Sequence, residues 1–309
     1  MTKVLVATDK PFAAIAVKGI REVIENAGME LVLLEKYTAK GQLTEAVKEV
    51  DAVIIRSDIF DAEVLDAAQQ LKIVVRAGAG YDNVDLDAAT ARKVCVMNTP
   101  GQNSNAVAEL VFGLLVYGVR GFFRGDSGTE LKGKKLGILA YGNVGRNVGR
   151  VAKGFGMEIY AFDPYTAAQI IENDGVKAVA TMEELFTACP VVSLHIPATA
   201  ETRKVVNYAL LSAMPQGAIV VNTARKEVVD ETSLRRMFEE RSDFKYLSDI
   251  KPDIDAELAA KYPDRYFATP KKTGAQTAEA NINAGIAAAK QIVDFLRNGN
   301  TQFQVNQSV

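Results

Sequence analysis

The sequence predicts an α/β protein made of two doubly wound parallel sheets, in the Rossmann or flavodoxin-like arrangement. Short runs of β-branched and aliphatic residues alternate with amphipathic helical stretches along the chain, which is typical of βα units in a parallel sheet. The length of 309 residues corresponds to about two domains. A break follows Asn98-Thr99-Pro100-Gly101, so we expect a domain boundary near residue 100.

The alternation can be followed element by element. In the first series the predicted strands are Lys3–Thr8, Leu31–Glu35, Ala52–Arg56, Lys72–Arg76 and Val94–Asn98. In the second series they are Lys135–Ala140, Glu158–Asp163, Val191–Ile196, Ala218–Thr223, Lys245–Asp249 and Arg265–Thr269. The clearest predicted helices are Ala13–Asn26, Asp61–Gln70, Asn105–Arg120, Arg146–Lys153 and Ala278–Arg297. The last helix is long enough to cross back to the first domain, which the sequence permits but does not require.

Charge and composition exclude several functional classes. Lys and Arg number 36 against 38 Asp and Glu, for a net charge of −2, so no basic excess is present to neutralise a nucleic-acid backbone. The two cysteines, Cys95 and Cys189, cannot form a disulfide framework or a zinc–thiolate cluster, and we expect reduced thiols in a cytoplasmic protein. The one histidine, His195, excludes zinc sites built on paired histidines. No metal is expected.

The apolar segments point to a soluble protein. The N-terminal sequence lacks the long apolar stretch and the cleavage site of a signal peptide. The longest apolar run, Leu110–Val119, is shorter than the roughly 20 residues that span a bilayer. We therefore expect a soluble cytoplasmic protein without a membrane partner. The helix Asn105–Arg120 is too apolar for a free surface, so it suits a dimer interface, with burial inside the monomer as the alternative.

A nucleotide-binding motif follows the first strand of the second series. The dinucleotide pattern G-x-G-x-x-G maps onto Ala140-Tyr141-Gly142-Asn143-Val144-Gly145, with alanine at the first glycine. Gly142 lets the pyrophosphate approach the backbone, Gly145 permits close packing of helix on strand, and the helix N-terminus offers N–H groups to phosphate. Ala140 is compatible with this turn if its φ is negative.

An acidic residue ends the next strand, at the place where such motifs recognise ribose. Asp163 lies 18 residues after Gly145. A carboxylate there can accept hydrogen bonds from both ribose hydroxyls and would repel a 2′-phosphate, which favours NAD over NADP. The alternative is an Asp-Pro turn that binds no ligand. The order of strand, turn, helix and acid favours NAD binding.

A series of segments, in the same order, resembles the D-2-hydroxyacid dehydrogenase family. The segments are Ile55-Arg56-Ser57, Val75–Asp85, Met97–Asn105, Val107-Ala108-Glu109, Ser193–Pro197, Asn222–Arg225 and Thr277–Ala280. The resemblance implies a substrate-binding domain formed by residues 1–98 and 285–309, an NAD-binding domain formed by residues 99–284, and a homodimer through the NAD-binding domain. The chain ends soon after the crossover helix, so no further C-terminal regulatory domain is expected.

Within the family, the chain is most similar to enzymes that act on a phosphorylated substrate. The resemblance implies NAD-dependent oxidation of D-3-phosphoglycerate to 3-phosphohydroxypyruvate, the first step of serine biosynthesis. It assigns the substrate carboxylate to Arg225, whose planar guanidinium suits bidentate binding and stays charged. The family's two glycines after this arginine are replaced by Lys226-Glu227, so we expect the local loop to differ.

Arg56 and Arg76 are candidate ligands of an anion without reference to any family. Each lies at the carboxyl end of a predicted strand, where α/β folds bind ligands, and together they can bind the phosphate of 3-phosphoglycerate. The alternative is two surface arginines paired with Asp58 or Asp82. By resemblance, the other expected contacts are Ser57 and Asn103 for the substrate, and Gly78, Gly142, Asn143, Val144, Gly145, Asp163, His195, Pro197, Thr223, Ala224 and Asp249 for the cofactor.

Two of these cofactor residues have specific expected roles. His195 follows a predicted strand and precedes Ile196-Pro197, and the resemblance places it beside the cofactor rather than in proton transfer. A histidine in this position is often merely structural. Asp249 is expected to bind the carboxamide of nicotinamide.

The residue that the family uses as its acid–base is missing. The family has histidine after a Thr-Pro pair, whereas this chain reads Thr269-Pro270-Lys271-Lys272-Thr273-Gly274. Counting from the proline places Lys271 at the histidine position, and counting back from the glycine places Lys272 there. We favour Lys272, because the glycine and the following helix start determine where the side chain points. The glutamate that partners the histidine is also absent, since Ile254 occupies its position.

The two departures are chemically consistent with each other. A glutamate stabilises a protonated histidine, but beside a lysine it would favour the ammonium form, which cannot accept a proton. Positive neighbours such as Arg225 act in the opposite sense and favour the neutral amine. In this hypothesis Arg225 orients the 2-hydroxy acid and Lys272 takes the hydroxyl proton.

Two other functions fit the sequence. The chain could reduce glyoxylate, hydroxypyruvate or another 2-oxo acid, with Arg56 and Arg76 binding other anions. It could also be a non-catalytic NAD(H)-sensing protein, because both usual proton-relay residues are missing. Turnover of a 2-hydroxy acid would exclude the second function.

Overall fold

Twelve β-strands and twelve α-helices alternate along residues 1–306, the part of the chain that the computed structural model describes. The strands are β1 (Lys3–Thr8), β2 (Glu30–Glu35), β3 (Ala52–Ile55), β4 (Ile73–Arg76), β5 (Cys95–Asn98), β6 (Lys135–Leu139), β7 (Glu158–Phe162), β8 (Lys177–Ala178), β9 (Val191–Leu194), β10 (Ile219–Asn222), β11 (Lys245–Ser248) and β12 (Tyr266–Ala268). The helices are α1 (Ala14–Asn26), α2 (Lys40–Ala46), α3 (Ala62–Ala67), α4 (Leu86–Ala91), α5 (Ser104–Val119), α6 (Asn143–Gly154), α7 (Ala168–Asn173), α8 (Met182–Ala188), α9 (Tyr208–Ala213), α10 (Glu231–Glu240), α11 (Asp255–Lys261) and α12 (Ala278–Asn298). Residues 307–309, part of the segment 285–309 expected in the substrate-binding domain, lie outside the described residues.

The chain folds into two compact units, each with its own parallel sheet. Unit 1 comprises Met1–Asn103 and Thr277–Val309, and unit 2 comprises Ser104–Gln276. Both boundaries fall at helix starts, because α5 begins at Ser104 and Thr277 is the N-cap of α12. Residue 284, where the sequence suggests a boundary, lies inside the continuous helix α12.

Unit 1 has a five-stranded sheet in the order β2-β1-β3-β4-β5, which is the flavodoxin-like order. One face of the sheet is covered by α1 and α12, where Ile20 and Ile24 pack with Ala288 and Ile292 against the strands. The other face packs against α2, α3 and α4. Helices on both faces account for strands that are apolar along their whole length.

Unit 2 has a seven-stranded sheet in the order β12-β11-β10-β9-β6-β7-β8, and every pairing in it is parallel. The strand order reverses between β6 and β9, as in dinucleotide-binding domains. Helices α5 and α6 cover one face, and α8, α9 and α10 cover the other. The predicted class of two doubly wound parallel sheets is confirmed.

The predicted strands are present, and most are one or two residues shorter than predicted. The residues that leave the sheet are mainly at the carboxyl ends, where Arg56, Ala140, Asp163, Thr223 and Asp249 lie just beyond the last paired residue. Strand β8 was not predicted, because two residues are too few to form a recognisable apolar run. The shortened ends place these side chains in loops, where they can contact a ligand.

Helix α5 is apolar because it is buried within unit 2. Val111, Phe112, Leu114 and Leu115 belong to the core that covers β6, while the exposed positions of the helix include Glu109. Burial inside the monomer, the alternative considered above, accounts for this composition, and the apolarity of α5 gives no support to a dimer interface. None of the helices within residues 1–306 combines the length and the hydropathy that crossing a membrane requires.

Candidate functional site

The carboxyl edge of the seven-stranded sheet carries most of the candidate residues. Because the strands are parallel, the residues that follow them lie along one edge. Across the sheet these are Lys271 and Lys272 after β12, Asp249 after β11, Thr223–Arg225 after β10, His195 and Pro197 after β9, Ala140–Gly145 after β6, and Asp163 after β7. The loop after β6 and His195 therefore flank the reversal of strand order, where doubly wound folds bind nucleotides.

The glycine loop leaves room for a phosphate at the N-terminus of α6. Gly142 is the N-cap of this helix, and no side chain accepts a hydrogen bond in capping it, so the first-turn N–H groups are available to an anion. A Cβ atom placed on Gly142 would meet nothing within 4 Å, whereas one on Gly145 would lie 2.3 Å from the carbonyl oxygen of Ala140. Gly142 thus leaves space for a phosphate to approach the backbone, and Gly145 permits α6 to pack closely on the loop after β6.

Ala140 adopts a backbone conformation that the sequence did not predict. Its φ is +75°, so the condition of a negative φ, under which alanine would fit this turn without strain, is not met. The N–H of Ala140 donates to the carbonyl of Phe162 at 2.9 Å, which extends the sheet pairing by one residue, and the chain must then turn sharply into Gly142. The motif retains the turn of the usual first glycine, although alanine occupies it at a cost of roughly 1–2 kcal/mol.

We therefore expect Ala140→Gly to stabilise unit 2 by about 0.5–1 kcal/mol, because relief of the left-handed strain exceeds the entropy cost of a glycine. The measurement is the midpoint of urea unfolding. The matched control is Ala259→Gly at an exposed interior position of α11, which should lower the midpoint because glycine disfavours helix. A fall in the midpoint for both variants would contradict the strain at Ala140.

Asp163 is held against the glycine loop by two backbone groups. Its Oδ2 accepts the N–H of Tyr141 at 2.8 Å, and its Oδ1 accepts the N–H of Tyr165 at 2.8 Å. A carboxylate oxygen has two lone pairs, so both oxygens keep acceptor capacity for ribose hydroxyls. The same residue can therefore orient the loop and recognise a sugar.

His195 is a neutral side chain in this structure. Burial lowers the pKa of its imidazole to about 3, and its Nε2 lies 2.9 Å from the hydroxyl of Ser193. The N–H of His195 donates to the carbonyl of Leu139 at 2.9 Å, which places it next to the start of the glycine loop. An imidazole that does not ionise near neutral pH is unsuited to general acid catalysis as a cation.

A buried asparagine shapes the loop that bears Arg225. The Nδ2 of Asn222 donates to the carbonyl of Arg225 and to the hydroxyl of Tyr246, both at 2.9 Å, and its Oδ1 accepts the N–H of Ala224 at 2.9 Å. The half-buried Arg225 side chain donates from Nη1 to the carbonyl of Ala224 at 2.9 Å. Sequence reasoning assigned Asn222 no role, although an amide at the end of an apolar strand was a visible signal.

The lysine loop is organised around Asp249. Its carboxylate is 1% exposed, with Oδ1 accepting from the hydroxyl of Thr269 at 2.8 Å and the N–H of Thr273 at 2.7 Å, and Oδ2 accepting from the N–H of Gly274 at 2.8 Å. Lys271 and Lys272 lie between these donors, and both lysine residues are exposed. Thr269 and Thr273 were not among the predicted site residues.

Two of the departures from the family pattern, Lys226-Glu227 and Ile254, lie close together in unit 2. Residues Lys226–Val228 form one turn of 3-10 helix after Arg225, and Lys226 forms an ion pair with Asp253. The next residue, Ile254, packs against the apolar core. Lys226 and Glu227, which replace the two glycines of the family pattern, thus lie in a short 3-10 helix, and a packed hydrocarbon side chain occupies the position of the family's glutamate.

In unit 1, the Arg56 side chain is held by nearby backbone and by α12. Nη1 donates to the carbonyls of Lys10 and Pro11 at 2.8 and 3.2 Å, and Nη2 donates to Oδ1 of Asn281 at 2.7 Å. The guanidinium also lies over the ring of Phe12, 5.1 Å from its centroid. These guanidinium partners differ from the carboxylate of Asp58, which was the partner in the alternative of a surface pair. The Oδ2 of Asp58 instead accepts the backbone N–H of Arg56.

Arg76 lies across Gly78 at the end of the neighbouring strand. Its Nε donates to the carbonyl of Arg56 at 3.0 Å, and a Cβ on Gly78 would fall 1.5 Å from Nη1 of Arg76. Gly78 has a φ of +149°, in the region that favours glycine, and its lack of a side chain leaves the space that this guanidinium occupies. The following loop is fixed by Asn98, which donates to the carbonyl of Ala79 at 2.6 Å. The other predicted substrate residues are Ser57, which is exposed after β3, and Asn103, which is half-buried at the end of the first segment of unit 1.

The residues present in unit 2 fit a dinucleotide. The open space above Gly142 and the uncapped start of α6 suit a pyrophosphate, Asp163 suits a ribose, and the buried hydroxyl of Thr223 has no hydrogen-bond partner within the described chain.

A metal site has no such support, because no group of three His, Cys, Asp or Glu side chains within residues 1–306 could hold one. Cys95 and Cys189 are buried and unbridged, and burial raises their thiol pKa values to about 11 and 12, so neither is a nucleophile near neutral pH.

Comparison with known proteins identifies the family. Residues 120–260 match the family described as D-isomer specific 2-hydroxyacid dehydrogenase, NAD binding domain. D-3-phosphoglycerate dehydrogenase of Methanocaldococcus jannaschii is 34% identical over 96% of this chain, which spans 58% of that protein's length. Hydroxypyruvate reductase of Thermotoga maritima is 34% identical over 85% of this chain and 90% of its own length.

Solved structures agree with the sequence relatives. The crystal structure of NAD⁺-bound 3-phosphoglycerate dehydrogenase from Entamoeba histolytica is 47% identical, covers 100% of this chain and 99% of its own, and superimposes with a TM-score of 0.89. The apo structure of D-lactate dehydrogenase from Escherichia coli is 25% identical over 98% of this chain and 100% of its own, with a TM-score of 0.77. The chain is therefore a member of the D-isomer specific 2-hydroxyacid dehydrogenase family, with NAD as its cofactor.

Proposed function

We propose that the protein oxidises D-3-phosphoglycerate to 3-phosphohydroxypyruvate, with unit 1 as the substrate-binding domain and unit 2 as the NAD-binding domain. The observation that carries the choice of substrate is the presence of Arg56 and Arg76 at the carboxyl ends of neighbouring strands, β3 and β4. Two guanidinium groups supply the charge and the donors that a phosphate dianion requires. The similarity to D-3-phosphoglycerate dehydrogenases from two organisms supports the same substrate and a place in serine biosynthesis.

In this proposal Arg225 binds the substrate carboxylate and the oxygen on C2. Asn222 fixes this loop through hydrogen bonds to the carbonyl of Arg225 and the N–H of Ala224. The backbone that bears the Arg225 side chain therefore has a defined position within unit 2. The guanidinium group is planar and stays charged, so it can bind both oxygens through parallel hydrogen bonds. Ser57 and Asn103 are proposed as further substrate contacts.

Lys272 acts as the acid–base. Its neutral amine accepts the proton of the 2-hydroxyl while C2 gives up its hydride, for which bound NAD⁺ is the acceptor. Since the lysine is exposed, its ammonium can return the proton to water directly, and no second acid is needed. The packed side chain of Ile254, in place of a glutamate, leaves no carboxylate at that position to favour the ammonium form.

The cofactor is proposed to lie along the carboxyl edge of the seven-stranded sheet. Gly142 and Gly145, with the intervening N–H groups of Asn143 and Val144, hold the pyrophosphate, and Asp163 binds the adenosine ribose. The other proposed contacts of NAD are Gly78, His195, Pro197, Thr223 and Ala224. The resemblance to the family also supports a cytoplasmic homodimer that associates through the NAD-binding domain.

A second candidate is reduction of hydroxypyruvate, glyoxylate or a related 2-oxo acid. The side chain of Arg56 already donates hydrogen bonds to Lys10, Pro11 and Asn281, as a structural arginine does. An Arg56 with a structural role would not bind a phosphate, which favours an unphosphorylated substrate. The Thermotoga maritima relative, named hydroxypyruvate reductase, is similar over nearly its whole length. In this case Arg225 and Lys272 would keep their roles.

Steady-state assays separate these functions. We expect NAD-dependent oxidation of 3-phosphoglycerate, measured by NADH absorbance from neutral to alkaline pH, with a kcat/KM at least about tenfold above that for glycerate or lactate, since charged hydrogen bonds to phosphate contribute more than 1.4 kcal/mol. Equal values for glycerate and 3-phosphoglycerate would favour the second candidate. NADH binding without turnover of any of these acids would contradict both.

A further inference from the structure

In unit 1, the segment Arg56-Ser57-Asp58 after β3 is held by the half-buried side chain of Asn83. The Nδ2 of Asn83 donates to the carbonyl of Arg56 at 3.3 Å and to the carbonyl of Asp58 at 2.7 Å. An amide nitrogen carries two hydrogens, so each carbonyl can receive one of them. Asn83 therefore holds the first and the third carbonyl of this segment.

The N–H side of the same segment is held by Asp58. This residue is 4% exposed, and its Oδ2 accepts the N–H of Arg56 at 3.1 Å. Its Oδ1 accepts the N–H of Asp9 and the hydroxyl of Tyr37, both at 2.7 Å. Asp58 and Asn83 thus hold the segment through opposite backbone groups, an N–H in one case and carbonyls in the other.

The backbone of Asn83 is itself fixed to the loop after β3. The N–H of Phe60 donates to the carbonyl of Asn83 at 2.8 Å, and the N–H of Asp85 donates to the carbonyl of Phe60 at 3.0 Å. The loops after β3 and β4 therefore pair here as two parallel strands do, and Phe60 is fully buried in the core of unit 1. The amide group of Asn83 thus projects from an anchored backbone.

The carbonyl of Arg56 links Asn83 to Arg76. The Nε of Arg76 donates to this carbonyl at 3.0 Å, and the Nδ2 of Asn83 donates to the same oxygen. A carbonyl oxygen has two lone pairs, so it can accept both donors at once. Because Nε belongs to the planar guanidinium, a hydrogen bond at Nε also restricts the direction in which the other two nitrogens of Arg76 point.

We propose that Asn83 is a positioning residue for the phosphate of the substrate, which orients the guanidinium of Arg76 by holding the carbonyl of Arg56. The inference rests on the proposed role of Arg76 in binding the phosphate of 3-phosphoglycerate and deepens it. Asn83 acts through this carbonyl and makes no contact with the substrate itself.

The test compares Asn83→Ala with the native protein in steady-state oxidation of two acids. We expect KM for 3-phosphoglycerate to rise about tenfold, because loss of both hydrogen bonds releases the carbonyl that orients Arg76. KM for glycerate, which has no phosphate, should rise less than about twofold. The kcat values should be unchanged, because Arg225 and Lys272 belong to unit 2. An equal rise in KM for both acids, or a lower kcat without a change in KM, would overturn the proposal.

A second variant keeps the test valid if Asn83→Ala fails to fold. Asn83→Asp preserves the shape of the side chain but places an acceptor-only carboxylate against the two carbonyls. KM for 3-phosphoglycerate should rise at least as much as in Asn83→Ala, again with kcat unchanged. A native KM in Asn83→Asp would show that the two donated hydrogens are not needed, which contradicts the proposal.

Asn306→Ala is the matched control, because Asn306 is another buried asparagine that fixes backbone in unit 1. Its Nδ2 donates to the carbonyl of Val94 and its Oδ1 accepts the N–H of Val96, both at 2.9 Å. These contacts lie at the amino end of β5, so Asn306→Ala should lower the midpoint of urea unfolding and leave both KM values unchanged. If KM for 3-phosphoglycerate rises here as it does in Asn83→Ala, the effect comes from general destabilisation and the proposal is wrong.

A double variant distinguishes failure of this inference from failure of the proposed function. In Arg76→Met protein, adding Asn83→Ala should raise KM for 3-phosphoglycerate less than about twofold further, because a residue that acts through Arg76 has nothing left to orient. A further rise as large as that in the single variant would refute the positioning role while Arg76 keeps its own. If Arg76→Met alone leaves KM unchanged, the proposed phosphate site fails, and the role of Asn83 fails with it.

Discussion

Replacement of Lys272 by alanine is expected to lower kcat for 3-phosphoglycerate oxidation by about 10³-fold, within the usual contribution of a positioned acid–base. The dissociation constant of NADH should stay the same, because the proposed cofactor contacts lie on or after β6, β7, β9 and β10, and at Gly78 after β4, rather than on this side chain. NADH fluorescence and the rate of NADH formation measure the two quantities separately.

Lys271→Ala is the matched control. Lys271 is adjacent in sequence, equally charged and also exposed, so it reports any general effect of losing an ammonium from this loop. Its kcat should remain within about threefold of the native value, or 0.7 kcal/mol. Loss of turnover in Lys271→Ala with full activity in Lys272→Ala would assign the proton transfer to Lys271. Full activity in both would contradict an amine acid–base.

Rescue by a small primary amine tests the chemistry itself. Methylamine added to Lys272→Ala should restore part of the lost kcat, and the restored rate should rise with pH, because only the neutral amine accepts a proton. Absence of rescue at any pH, together with inactive Lys272→Ala, would favour a structural role for the lysine.

The fold could be predicted because it depends on local patterns. Strands such as Lys3–Thr8 and helices such as Ala278–Asn298 are recognisable from apolar periodicity alone, and two parallel sheets follow from the alternation of the two. The positions of Arg56, Asp163 and Asp249 after strands followed from the same reasoning, since the carboxyl ends of parallel strands meet at one edge.

The interactions of those side chains could not be predicted, because they depend on distant residues. The partner of Arg56 at Asn281 is 225 positions away, and the donors to Asp249 come from a loop 20–25 residues further along the chain. The positive φ of Ala140 accompanies a backbone hydrogen bond to Phe162 on β7, which no local preference of alanine indicates. Tertiary contacts therefore determine which candidate residues have side chains that are positioned to bind a ligand.

Arg76 provides the sharpest prediction about substrate choice. We expect Arg76→Met to raise KM for 3-phosphoglycerate about 100-fold, because two charge-assisted hydrogen bonds to phosphate contribute about 3 kcal/mol. KM for glycerate, which has the same carboxylate and hydroxyl but no phosphate, should rise less than about threefold, or 0.7 kcal/mol. Methionine keeps a long unbranched chain over Gly78, where the guanidinium lies in the native protein, so packing is largely preserved.

The control for lost charge is Arg92→Met, which removes the same charge from unit 1. Arg92 is the C-cap of α4, close to the amino end of β5, and pairs with Asp66, so both KM values should stay unchanged. An equal rise for both substrates in Arg76→Met would show that Arg76 serves the shared carboxylate or supports the loop at Gly78. No rise for either would remove Arg76 from the phosphate site. Arg56, which is already engaged by Asn281, would then be structural as well, and the reduction of an unphosphorylated 2-oxo acid would become the favoured function.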